Sequence, residues 1–154
     1  MLTVLLEPTE RIQRFRAAPW LFQRTFKTPL KDLKRFVSTF LASYSFERGA
    51  LSTDKVVFEP KTVLNLLAHH SVQVNNCYDF TIEAEGKRAI ADLLQAALGD
   101  WVDFVFVSFP GLLAICADHD EYTTFYTLDD ATLNRLALEL ESAGFEPVPG
   151  YTRR

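Results

Sequence analysis

The densest set of chemically capable side chains is Asp118-His119-Asp120-Glu121-Tyr122, in which carboxylates and a phenol surround one imidazole. Carboxylates beside an imidazole can hold a divalent cation or share acid–base work. A small metal-dependent hydrolase centred on His119, with Asp118 and Asp120, is the enzymatic reading of this segment. Consecutive residues of a strand or turn point in different directions, so few of them converge on one point. Aspartate also favours turns, because its carboxylate accepts from nearby backbone N–H groups. A turn is therefore favoured over a metal or catalytic site. Of the functional readings, the segment best fits an acidic recognition loop at the end of a strand, facing a basic partner.

Other acids extend that idea. Asp79, Glu83 and Glu85 alternate, as residues on one face of a strand do. With Asp100, Asp103 and the 118–121 cluster they can build an acidic surface. The opposite charge is concentrated near the N-terminus. Lys27, Lys31, Lys34 and Arg35 follow helical spacing, and cations near a helix N-terminus oppose its dipole. With Arg14, Arg16 and Arg24, and with Trp20, Phe22 and Phe26 among them, the stripe can track a phosphate backbone and stack on bases. A solvated helix face that also meets the acidic body is the favoured account of the same residues. His69-His70 project about 100° apart on a helix, which suits a helix C-terminus better than joint ligation of one ion. The sequence contains no G-x-S-x-G, P-loop, dinucleotide glycine pattern, H-E-x-x-H or C-x-x-C. No pattern implies a cofactor.

The elements that must position these residues read as α+β. A helix starts near Pro29, capped by Thr28, with Leu30, Leu33, Val37, Phe40, Leu41 and Tyr44 on one face. A second opens at Pro60 and carries Val63, Leu64, Leu66 and Leu67. A third spans about residues 87–98, burying Ile90, Leu93, Leu94 and Ala97, with Gly99 as its stop. The last begins at the capping pattern Thr127-Leu128-Asp129-Asp130 and shows Leu133, Leu136, Ala137 and Leu140 before Gly144. Strand-like runs fill residues 77–83, 102–108, 112–117 and 122–126, with a short one at 145–148. This order predicts an antiparallel sheet of about four strands flanked by helices. It is compatible with a split-βαβ (ferredoxin-like) sandwich, preceded by a basic, aromatic, mostly helical segment over 1–48.

The chain has 154 residues, which fits a single domain over 1–154 with a self-sufficient core. Aromatics make up 13% of it and thirteen are Phe, which implies a bulky core. Cys77 and Cys116 stand apart in apolar runs and read as free thiols. Neither a leader peptide nor a membrane span is recognisable, so a cytoplasmic location is expected and no membrane partner. Net charge is -4, unevenly spread: residues 1–48 hold nine Lys/Arg against four acids, and the remainder seven against sixteen. A small acidic α+β chain without catalytic motif resembles, in general character, the immunity proteins that neutralise bacterial polymorphic toxins. The resemblance implies a tight protein–protein inhibitor that masks a basic substrate groove with carboxylates and aromatics.

The leading expectation is thus a non-catalytic, inhibitor-type binding protein with a basic protein partner, using Asp118, His119, Asp120, Glu121, Tyr122, Asp100 and Asp103. The alternatives are a nucleic-acid-binding module built on Arg24, Lys27, Lys31, Lys34 and Arg35, and the His119 hydrolase. An exposed Phe-rich patch would equally serve a homodimer.

Overall fold

A computed structural model describes residues 1–5, 15, 22–44, 46–55, 58–70, 81–109 and 113–153. The strands are β1 (Leu2–Leu5), β2 (Phe22–Lys27), β3 (Arg48–Lys55), β4 (Thr81–Glu85), β5 (Asp103–Phe109), β6 (Leu113–Ala117) and β7 (Tyr122–Thr127). The helices are α1 (Leu33–Ala42), α2 (Lys61–His69), α3 (Lys87–Gly99) and α4 (Asp130–Ser142). All strands join one sheet in the order β1-β4-β3-β5-β6-β7-β2. Every neighbouring pair is antiparallel.

The expected four-stranded sheet is therefore corrected to seven strands, and the split-βαβ arrangement is not formed. Two physical reasons account for the missing strands. The first is that β3, Arg48-Gly-Ala-Leu-Ser-Thr-Asp-Lys, is a central strand pressed from both faces and built of small residues, so it lacks a bulky β-branched signature. A side chain on Gly49 would place its Cβ 2.1 Å from the Phe106 ring, so only glycine fits there. The second lies in the basic N-terminal segment, which supplies β1 and β2 as well as a helix. In β2, Phe22 and Phe26 share one face and the charges interrupt the alternation that marks a strand.

Helix boundaries moved less. α1 starts at Leu33 instead of Pro29, with Asp32 at its N-cap, and the Thr28 hydroxyl instead lies 2.7 Å from that of Thr123. α4 begins at the end of the expected capping pattern: Thr127 stays in β7, Asp129 is the cap and accepts from the Thr132 backbone N–H at 2.7 Å, and Leu133, Leu136, Ala137 and Leu140 are buried. The Thr132 hydroxyl and then its backbone N–H hold the Asp129 carboxyl below its ordinary pKa. Most of the strand expected over 77–83, and Cys77 with it, lie outside the described residues; β4 starts at Thr81. In place of a strand at 145–148 there is an isolated bridge between Phe26 and Pro147.

The helices cover one face of the sheet. α3 packs on β3 and β4 and touches both α1 and α2, while α4 packs on β2 and β7 and touches α1. Beneath them Phe36 meets Phe40, Phe125 and Phe145 edge-on, at ring distances of 5.5, 6.1 and 5.0 Å. This aromatic cluster is where the Phe-rich composition goes. The other face buries Ala50, Val105, Val107, Ala114, Cys116 and Tyr126, with Phe15 edge-on against Tyr126 at 5.2 Å. Cys116 is buried on this face beside Tyr126. Among the described residues, no helix is long and apolar enough to cross a membrane.

Candidate functional site

The residues expected to form the acidic loop gather at one end of the sheet, where β6 leaves at Ala117, β7 enters at Tyr122 and β5 enters at Asp103. Much of their chemistry is directed inward. Asp118 Oδ1 accepts from the backbone N–H groups of Asp120 (3.0 Å) and Tyr122 (3.2 Å), closing the β6–β7 turn. Its Oδ2 accepts from Arg153 Nη1 at 2.9 Å, and both side chains are largely buried (14% and 18% exposed). Asp103 Oδ1 accepts from the His119 backbone N–H at 2.8 Å and lies 2.9 Å from His119 Nδ1. With Nδ1 protonated, one carboxylate oxygen fixes both the backbone and the ring of His119.

Asp100 serves another element. It accepts from the backbone N–H groups of Val63 (2.8 Å) and Thr62 (3.2 Å), satisfying two donors that the start of α2 leaves free. Exposed carboxylates remain at Asp120, 75% exposed with Oδ1 3.8 Å from His119 Nε2, and at Glu121. Among the described residues, no three His, Cys, Asp or Glu side chains form a group that could hold a metal ion.

The basic residues do not form one helical stripe, because Lys27 lies in β2 and Lys31 in the turn before α1. Arg24 Nη2 donates to Asn134 Oδ1 at 2.7 Å, on the wall of an open groove between β2 and α4. Lys27 pairs with Glu146 at 3.4 Å. Arg35 pairs with Asp32 at 2.6 Å, donates to the Ala143 carbonyl, and stacks 4.4 Å from the Phe145 ring centre. Lys31 and Lys34 are exposed.

Sequence reasoning missed three residues at this end of the molecule. Phe58 and Trp101 are 50% and 36% exposed, and their rings meet edge-on at 5.1 Å. Trp101 sits at φ +57, in the left-handed region that side chains larger than Asn rarely enter. The cause is the end of α3: the Trp101 N–H bonds to the Leu98 carbonyl and the Val102 N–H to that of Ala97, a Schellman motif with Trp101 at its left-handed position. Gly99, expected as the stop, is still helical. The available signal was Trp101 between Asp100 and Asp103, just past a helix end, where a bulky aromatic has no packing reason to sit. The third missed residue, Arg153, lies almost at the chain's end and carried no pattern at all.

On the buried face beside Arg153, burial, and then the adjacent Cys116, push the Tyr126 phenol well above the ordinary tyrosine range. Tyr126 is therefore a neutral hydrogen-bonding group at physiological pH. What this end of the sheet exposes is two aromatic rings from the β3–α2 and α3–β5 connections, together with the Glu59, Lys61, Asp120 and Glu121 side chains. No protein-family model, curated protein or solved structure matches this chain.

Proposed function

We propose that this protein is a non-catalytic binding protein of the inhibitory, immunity-like kind, and that it covers a basic surface of a partner protein with the sheet end carrying Phe58, Trp101, Asp120 and Glu121. The observation that carries the reading is Trp101. A tryptophan in the left-handed region costs about 1–2 kcal/mol relative to glycine, and its ring is left partly exposed against a more exposed Phe58. Strain of that kind collects at binding sites. Exposed Trp and Tyr rings ringed by polar groups are the commonest energetic centres of protein interfaces. The ring faces also attract Arg and Lys side chains, and nearby carboxylates reinforce that preference while steering a basic partner into place.

The test compares capture from native lysate, at physiological salt, by the wild-type chain and by two variants, Trp101→Gly and Asp120→Lys/Glu121→Lys. The expected outcome is a stoichiometric basic protein retained by the wild type, with Trp101→Gly weakening retention at least tenfold. The charge reversal should slow association most at low salt. Equal retention by all three chains would remove this end of the sheet as the interface.

A further inference from the structure

Helix α2 begins without a cap of its own. Its N-cap residue is Pro60, whose side chain has no acceptor for a backbone N–H, and its first turn holds no acidic residue. The cap comes from the far end of another helix. The Thr62 N–H donates to one carboxylate oxygen of Asp100 at 3.2 Å, and the Val63 N–H donates to the other at 2.8 Å. Asp100 itself stands at the C-terminal end of α3, where the helix dipole disfavours an anion, and the last turn of α3 carries no cation to offset it. The acid there serves α2 at the expense of α3.

The two segments that this carboxylate joins are the ones that carry the exposed rings. On one side Trp101 follows Asp100 directly and is held by the backbone bonds that end α3. On the other, Phe58 leads into the first turn of α2 through Pro60, which is buried at φ -82 and ψ 67. The Lys61 N–H bonds to the Glu59 carbonyl across it at 2.9 Å, which makes this an inverse γ-turn. Short, stiff stretches of backbone thus tie both rings to the same carboxylate. Among the described residues, no other hydrogen bond or ion pair connects 58–63 with 98–103. The rings meet at 5.1 Å and 67°, an edge-on contact that is lost once the two segments move apart by a few ångströms.

We infer that Asp100 is the positioning residue of this surface: its carboxylate, bridging the end of α3 to the first turn of α2, sets Phe58 and Trp101 as one two-ring contact element. Its hold on the ring pair stands on the geometry alone, whereas its consequence for a basic partner rests on the function proposed above. Asp100 acts on that partner through the rings, in contrast to the exposed carboxylates of Asp120 and Glu121, which meet it directly.

The experiment compares the full-length wild type with Asp100→Ala, Trp101→Gly and the double variant. Asp100→Ala should lower Tm by about 2–4 °C, as loss of one helix cap does in a chain of this length. Well below that temperature, the Phe58–Trp101 ring cross-peaks of the wild-type nuclear Overhauser spectrum should vanish, and the Thr62 and Val63 amides should exchange faster with solvent. Asp100→Asn, which keeps one acceptor oxygen, should retain the cross-peaks at reduced intensity. In capture of the basic partner, Asp100→Ala should weaken retention about tenfold. The double variant should lose no more than Trp101→Gly alone, because a positioning residue has nothing to act on once the ring is gone. Ring cross-peaks of wild-type intensity in Asp100→Ala overturn the inference. So does a double variant whose losses multiply, since that makes Asp100 a contact in its own right. If Asp100→Ala does not fold, Asp100→Asn carries both measurements. Capture by Trp101→Gly at the wild-type level instead overturns the partner reading, and the ring cross-peaks still decide the role of Asp100.

Discussion

Helices α3 and α4 end in the same backbone motif, and the difference between the two ends separates what the fold requires from what it does not. At the end of α4 the Gly144 N–H bonds to the Glu141 carbonyl and the Phe145 N–H to that of Leu140, while at the end of α3 Trp101 and Val102 make the equivalent bonds to Leu98 and Ala97. The left-handed position is Gly144 at φ +92 in one and Trp101 at φ +57 in the other. Both motifs place an apolar residue next, buried Phe145 and buried Val102, so the chain re-enters the core in the same way. The backbone asks for glycine at both places. Only α4 has it, so the tryptophan on α3 answers to something other than chain reversal.

The comparison can be broken most forcefully at the re-entry residue of α4. Phe145 is buried against Phe36 and lies under the Arg35 guanidinium. Phe145→Ala should therefore cost about 3–5 kcal/mol in chemical denaturation, as ring removal from a packed core does. A loss under 1 kcal/mol would mean that the helix end is not anchored by that ring. Next in size is Gly144→Ala. An added Cβ there meets nothing within 4 Å, so the cost is backbone strain alone, about 1–2 kcal/mol. An unchanged midpoint would show that the left-handed position is cheap in this motif, and the argument from Trp101 would lose its footing.

The two ends also show what the sequence could and could not disclose. α4 was legible from both directions. Asp129 caps it, four apolar residues repeat at helical spacing, and Gly144 occupies the position that glycine favours. The same rule misplaced the end of α3, because Gly99 offered a stop two residues before the left-handed position, and Trp101 was left unassigned between that stop and the strand expected from 102. β3 was invisible for a different reason: a central strand crossed by the Phe106 ring needs small residues, and small residues carry no strand signal. The 118–121 turn was legible as a turn and as acidic. Which of its carboxylates face inward was not, since Arg153 and Asp103, the partners of Asp118 and His119, are brought to it by tertiary folding across 35 and 16 residues. The basic stripe of Lys27, Lys31, Lys34 and Arg35 was read at helical period, whereas Lys27 lies in a strand, which obeys a period of two.

The smallest expected change in stability is the sharpest test. Trp101→Gly removes a strained residue, which favours the variant by about 1–2 kcal/mol. Against that stand the lost edge-on contact with Phe58, worth about 0.5–1.5 kcal/mol, and the greater freedom of glycine in the unfolded chain, worth about 0.4–1 kcal/mol. These terms nearly cancel, so the denaturation midpoint should stay within about 1 kcal/mol of wild type, in contrast to the loss expected for Phe145→Ala. Urea unfolding followed by far-ultraviolet circular dichroism measures this directly. A near-neutral variant that no longer captures the partner would assign the ring to recognition. A loss above about 2 kcal/mol would make Trp101 a packing residue with an awkward backbone. In that case the shared geometry of the two helix ends would reflect two ways of closing one core, and the exposed ring would need no partner to account for it.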